Sequence, residues 1–253
     1  MTLLRVATWN VRTCRTREPD TDRVDLDGTA AILRSIDADL VALQEIDREQ
    51  ERSGGVDQAR ALGELLGMRW SFCPALLGPA AGQRWRRADP GQDPGGPAYG
   101  IALLSRLEPE WVAPVALPHP EGRGEPRVAL IARLGLGTGP LAVGATHLSF
   151  LPRSGVGQLR WLQRRLEDEP APRLLLGDLN LWLLLVRLVS RRGWRPLARG
   201  HTFPNPPPEN PQRSVQIDHV LASGGKRLWV RRSRVAAGPI SDHRALVVDL
   251  EAG

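Results

Sequence analysis

The chain has 253 residues, 42% of them hydrophobic and 25% charged. That balance excludes a disordered polar chain and a disulfide-stapled mini-domain, and the length suits one large α/β domain over residues 1–253. The net charge of +6, carried by 33 arginines and the single lysine Lys226 against 28 acids, favours phosphate-bearing partners such as nucleic acid, anionic lipid or nucleotides, or reflects arginine-rich codon usage.

"LLRVATWNV" at the start reads as a β-strand ending near Asn10. "DGTAAILRSIDA" has helical spacing, with Ala31, Ile32, Ser35 and Ile36 on one face and Asp27 as N-cap. "DLVALQEID" is a second apolar strand that runs into Gln44 and Glu45. "DQARALGELLG" is a helix closed by Gly67, and "RWSFCPALL" a strand. Residues 78–98 are dense in Gly, Pro and charge and predict a long exposed loop. Strands follow at "YGIALLSR", "PRVALIARL" and "GPLAVGATHLS", then a helix at "VGQLRWLQRRLEDE" and a buried strand at "APRLLLGDLN". "LWLLLVRLVSRRG" predicts a buried helix stopping at Gly193. A Pro-rich loop, "TFPNPPPENPQRS", leads to a strand at "VQIDHVLA" and a closing loop and strand at "SDHRALVVDL". Several strands follow one another without a helical crossover, which argues against a purely parallel sheet and for two stacked sheets with helices outside.

Cys14 and Cys73 lack CxxC spacing and read as two unpaired buried thiols. The most apolar run, residues 181–189, is far shorter than the ~20 residues a membrane span needs, and no secretory leader is visible. A soluble, cytoplasmic protein is the expectation; oligomeric state is left open.

Polar residues recur where apolar strands stop: Asn10, Glu45, His147, Asp178, Asn180, Asp218, Asp242 and His243. Each alone has an ordinary structural reading, such as a helix N-cap for Asp178 or a satisfied core imidazole for His147. Together they place carboxylates, amides and imidazoles where α/β scaffolds present functional groups. Asp178 and Asn180, two apart at a strand end, can face one cavity. An oxygen-rich set with no sulfur pattern suits Mg²⁺ or Mn²⁺ rather than structural zinc.

The ordered set "TWN", "LQE", "YGIALLSR", "EPR", "THLS", "GDLN", "TFP", "IDHVLAS" and "SDH" covers nearly the whole chain. It resembles the endonuclease/exonuclease/phosphatase superfamily, which includes pancreatic deoxyribonuclease, neutral sphingomyelinases and inositol-polyphosphate 5-phosphatases. The resemblance implies a four-layer α/β/β/α sandwich of two mostly antiparallel mixed sheets, with the site at one end. It implies a Mg²⁺-dependent phosphoesterase (Mn²⁺ a possible substitute), with Glu45 as principal metal ligand beside Asn10 and Asp242. Asp178 is then the group that aligns or deprotonates water, steadied by Asn180. His243 meets the phosphate and is oriented by Asp218, with His147 as a second imidazole. Tyr99 joins them as a catalytic-site phosphate contact, and Asn10, Asn180 and Arg127 as substrate contacts.

The motifs also depart from particular branches. "WNVRTC" and "GDLNLW" differ from abasic-site repair enzymes, and Leu181–Trp182 from the 5-phosphatases; Ile101 stands where many relatives carry Asn. The partner is a phosphate ester, either small or lipid-linked, or alternatively DNA or RNA. The segment "RWRR" at 84–87 reads as a solvated arginine-rich insertion or, in support of the nuclease alternative, as a ring among cations that can stack on a base. A phosphate-binding module without activity is the third reading.

Overall fold

The computed structural model describes residues 2–17, 23–81, 84–119, 124–137, 139–206, 213–224 and 228–253. The first sheet contains β1 (Thr2–Asn10), β2 (Leu40–Arg48), β3 (Arg69–Leu77), β4 (Arg86–Arg87), β5 (Ala98–Ser105), β12 (Leu228–Ala236) and β13 (Ala245–Ala252). Their order is β12-β13-β1-β2-β5-β3-β4. The second contains β6 (Pro109–Ala116), β7 (Val128–Leu136), β8 (Gly139–His147), β9 (Arg173–Asp178), β10 (Arg195–Pro196) and β11 (Asp218–Ser223), in the order β10-β11-β9-β8-β7-β6. Only β1–β2 and β8–β9 pair in parallel; the remaining ladders are antiparallel.

Helices α1 (Leu26–Ile36) and α2 (Gln58–Leu66) cover the first sheet, and α3 (Pro152–Glu167) with α4 (Leu183–Val189) the second. The result is the expected four-layer α/β/β/α sandwich. Strand side chains alternate between two buried environments, which is why the strands read as continuous apolar runs. Leu4, Val6, Leu174 and Leu176 enter the core between the sheets. Ala7 and Trp9 face the first helix layer, and Leu175 faces α3 with Leu159, Leu162 and Leu166. Burying such leucines contributes roughly 1.5–3 kcal/mol each.

Several expectations need correction. The N-cap of α1 is Asp25, whose carboxylate accepts from the Gly28 amide, and its buried face is Thr29, Ala30, Leu33 and Ile36. Ala31 and Ser35 are exposed, and the Ser35 hydroxyl satisfies itself on the Ile32 carbonyl. The helix expected over 181–193 is shorter and lies on the surface: within Leu183–Val189 only Val186 is buried. A run apolar all round has no periodic face, so its pattern could not say which side packs. Strand β6 was hidden by Pro109 and Pro114, which an edge strand tolerates because one side of its ladder is unpaired. Within 78–98, β4 pairs with Leu76 and Leu77, and Trp85 is half-buried rather than exposed. Cys14 and Cys73 are buried free thiols, as expected.

Candidate active site

The alternation that fills the core also builds the site. Leu4, Val6 and then Thr8 and Asn10 form the inward row of β1; Leu174, Leu176 and Asp178 that of β9. On β8 the row is Leu141, Val143, Ala145 and His147; on β11 it is Ala222, Val220 and Asp218. On β5 it is Leu103, Ile101 and Tyr99. At one end of the sandwich the inter-sheet core therefore changes from aliphatic to polar. Register aligns the groups: His147 is level with Asp178, and Asp178 with Asp218. Gly177 permits this, because a Cβ there would lie 2.1 Å from the Thr146 carbonyl oxygen on the neighbouring strand.

Three residues at the site have irregular backbone. Glu45 is the extra residue of a β-bulge between Gln44 and Ile46, with φ +57°. Asn180 (φ +52°) and Ser241 (φ +61°) are also left-handed. Such conformations cost of order 1–3 kcal/mol each for residues other than glycine and cluster where side chains must be aimed.

Asp178 is fully enclosed. Its Oδ2 accepts from Asn10 Nδ2 at 3.1 Å and its Oδ1 from the Asn180 amide at 2.9 Å. His147 Nε2 lies 3.4 Å away and His243 Nε2 3.8 Å. Asn10 Nδ2 also reaches Glu45 Oε1 at 2.8 Å, so one amide ties the two sheets' carboxylates together. Burial, reinforced by the charge of Asp218, pushes the Asp178 carboxyl above the ordinary carboxylate range; His243 and the Asn10 bond oppose that push.

His243 Nδ1 sits 2.9 Å from Asp218 Oδ2. Burial alone would favour the neutral ring, but Asp218, Asp178 and Asp242 together raise its pKa and favour the charged ring. Phe203 packs on the ring at 4.7 Å. The backbone is pinned from β1: Trp9 Nε1 donates to the His243 carbonyl, and the Ser241 hydroxyl donates to the Asn10 carbonyl at 2.6 Å. Asp218 takes His243, not the neighbouring His219; its other oxygen, Oδ1, is buried without a partner among the described residues.

His147 is the opposite case. Burial and the nearby Arg127 and His243 cations hold its pKa well below normal. Arg127 Nη1 can only donate, and it lies 3.2 Å from His147 Nδ1. Nδ1 therefore accepts from Arg127, while Nε2 faces both Asp178 Oδ2 and a second donor, so the contacts do not assign one tautomer. Asn180 Nδ2 is 3.1 Å from that nitrogen and donates to the Leu148 carbonyl. Arg127, expected as a substrate contact, is buried and occupied by Glu125 and His147. It holds an imidazole in place, and its Nε has no partner among the described residues.

Glu45 and Tyr99 line a cavity of about 460 Å³ with Arg12, Arg15, Arg52, Trp85 and Glu125. Arg52 lies over both the Trp85 and Tyr99 rings, at 5.7 and 5.5 Å, and is held by Asp47. Burial, then the charge of Glu45, keeps the Tyr99 hydroxyl protonated. Asp242 is half-buried, with a 3.4 Å contact from the Ser241 hydroxyl. Among the described residues, the one acid–imidazole group with metal-compatible spacing is Asp178, Asp218 and His243; Glu45 and Asp242 are outside it. Sequence reasoning missed Arg12, Arg15, Arg52 and Phe203. The only available signal was their proximity to the strand-end motifs.

A two-sheet sandwich with carboxylates, amides and imidazoles converging at one shared end defines the deoxyribonuclease-type class of α/β/β/α proteins. The chain belongs to the Endonuclease/Exonuclease/phosphatase family, whose sequence profile matches residues 7–243 and whose members are generally hydrolases of phosphoester bonds. The structure is similar to that of an endonuclease/exonuclease/phosphatase from Beutenbergia cavernae, at 25% identity over 100% of this chain and 72% of that one, with TM-score 0.74. A functionally unknown conserved protein from Enterococcus faecalis is similar at 21% identity, over 99% and 100% of the two chains, with TM-score 0.73. A truncated TDP2 from Caenorhabditis elegans is similar at 18% identity, over 99% and 98%, with TM-score 0.67. The last two establish likeness of fold alone. A search of curated proteins gave no match.

Proposed function

We infer that the protein is a divalent-metal-dependent phosphoesterase that hydrolyses a phosphodiester or phosphomonoester by attack of an activated water. The observation that carries this reading is Asp178, buried between two imidazoles and two amide donors at the mouth of the sandwich.

The residues present fit a hard cation at Glu45. Its carboxylate is half-buried, bonded to Asn10 and turned into a cavity by the bulge. Glu45, Asn10 and Asp242 would hold Mg²⁺ or Mn²⁺ through oxygen. The Asp178–Asp218–His243 group is the weaker candidate, since an ion there would compete with the 2.9 Å His243–Asp218 bond. When bound, the ion supplies Lewis-acid stabilisation of charge on the phosphoryl oxygens.

The chain's own groups do the rest. Asp178, ionised, takes a proton from water, while the Asn180 amide on Oδ1 keeps the carboxylate oriented. His243 presents Nε2–H to phosphoryl oxygen, its charge sustained by Asp218 on Nδ1. His147 offers a second, neutral imidazole, held in place by Arg127 and Asn180. Tyr99 adds a hydroxyl from the cavity wall.

The test is hydrolysis of bis-p-nitrophenyl phosphate with Mg²⁺, with Mn²⁺ and with EDTA, for the wild type, Asp178→Asn and His243→Ala. Each substitution is expected to lower kcat by about 10²–10⁴-fold with the fold retained, and EDTA to abolish turnover. Wild-type rates in either folded variant, or full activity after chelation, would refute the assignment. A nuclease reading has one supporting observation, the Trp85 ring among Arg12, Arg15 and Arg52 in the cavity. It requires oligonucleotide turnover that collapses as salt rises, whereas small-ester turnover stays level.

A further inference from the structure

Four large apolar side chains stand out into solvent in a row that starts at the mouth end of the second sheet and runs down α4 along its outer flank: Phe150 is 60% exposed, Trp182 68%, Leu184 69% and Leu188 72%. Their placement follows from the strands that carry the site. Phe150 lies three residues beyond His147 on the chain leaving β8, and Trp182 two residues beyond Asn180 on the chain leaving β9. The two segments are held side by side by bonds from the Leu148 amide to the Asp178 carbonyl and from Asn180 Nδ2 to the Leu148 carbonyl. Leu184 and Leu188, four apart, share the outward face of α4.

The rim of this patch is arginine. Arg160, Arg164, Arg187, Arg192 and Arg199 are exposed around α4, and none forms an ion pair with an acid among the described residues. Glu167, the acid beside them, is occupied by Arg191 and Trp194. A groove of about 490 Å³ next to the patch has Trp182, Leu183 and Val215 in its wall and Arg199 at its edge.

We propose that Phe150, Trp182 and the outer face of α4 form a docking surface for anionic lipid bilayers, with the arginine rim on the headgroups. Aromatic and leucine side chains ringed by cations are the composition that partitions into the headgroup–acyl boundary. Each arginine near an anionic leaflet adds attraction, and its aliphatic stem can lie along apolar surface. A second copy of the chain fits less well, because a two-fold contact through this face would set the uncompensated arginines against one another. One end of the patch, Phe150 and Trp182, adjoins the strand ends that carry His147 and Asp178, so a docked bilayer would lie beside the site. Any use of that placement in catalysis rests on the phosphoesterase reading; the docking itself does not.

The test is sedimentation with vesicles of phosphatidylcholine containing roughly 30% phosphatidylglycerol, and with phosphatidylcholine alone. The wild type is expected to partition onto the anionic vesicles and to leave them as salt is raised. The Trp182→Ser/Leu184→Ser/Leu188→Ser variant and the Arg187→Glu/Arg192→Glu variant are each expected to lose roughly 10-fold or more in partitioning, with unchanged circular dichroism and thermal midpoint. Wild-type partitioning in the folded serine variant, or none by the wild type, would overturn the proposal. So would a wild-type dimer, or oligonucleotide binding, that the serine substitutions abolish in place of vesicle binding. Turnover of bis-p-nitrophenyl phosphate, read in parallel, reports on the catalytic reading alone.

Discussion

His219 adjoins Asp218 in the chain but points to the opposite face of β11, into the layer under α4. Its Nε2 lies 2.8 Å from the Leu181 carbonyl and its Nδ1 3.3 Å from Gln216 Nε2, a pair of contacts that only the neutral ring with its proton on Nε2 satisfies. Burial lowers its pKa to about 4, against the opposing pull of the Leu181 carbonyl and Asp218. Below pH 6.5 the unfolded chain binds a proton there and the folded chain does not. Stability is therefore lost as pH falls from 6.5 towards 4 and is level beneath that, by about 2 kcal/mol from this residue at pH 5. Urea unfolding at pH 8 and pH 5 should show a smaller difference for His219→Gln than for the wild type by about that amount; equal differences would mean that His219 is protonated in the folded protein. The two imidazoles nearest Asp218 differ because His219 turns into the layer under α4 while His243 meets the Asp218 carboxylate.

Strands β8 and β9 meet at Gly177, where there is no room for a side chain on the inner row's neighbour. Gly177→Ala would drive a methyl to 2.1 Å from the Thr146 carbonyl oxygen, which is backbone and cannot rotate away. A loss of about 1–3 kcal/mol is expected, measured by thermal or urea unfolding. Hydrolysis should suffer beyond that loss, because Asp178 and His147 terminate the two strands that must separate. Unchanged stability would remove the close approach as the reason for glycine. The strand ends were legible in sequence because the polar residues continue an inward row begun by leucines and valines. What was hidden depended on tertiary context. The bulge that turns Glu45, and the left-handed turn at Arg12, Thr13 and Cys14 that places two arginines in the cavity, contain no glycine to mark them. Helix α4 was misread because its burial is decided by what lies above it, and none of the described residues covers Leu184 and Leu188.

Across the whole molecule, the site draws on residues from Asn10 to His243, and β13 is a central strand of its sheet rather than an appendage. No helix among the described residues is long and apolar enough to cross a membrane. β1 begins against the finish of β13, with Thr2 opposite Ala252, and Asn10 lies at the far tip of β1, about 27 Å away along nine residues of strand. Both ends of the described chain thus emerge at the pole away from the candidate site. An affinity tag or a fused fluorescent protein at either end should leave ester turnover within roughly twofold of the untagged rate. Beads that grip the protein by its terminus should likewise hold every molecule with its mouth turned outward, free to meet a surface.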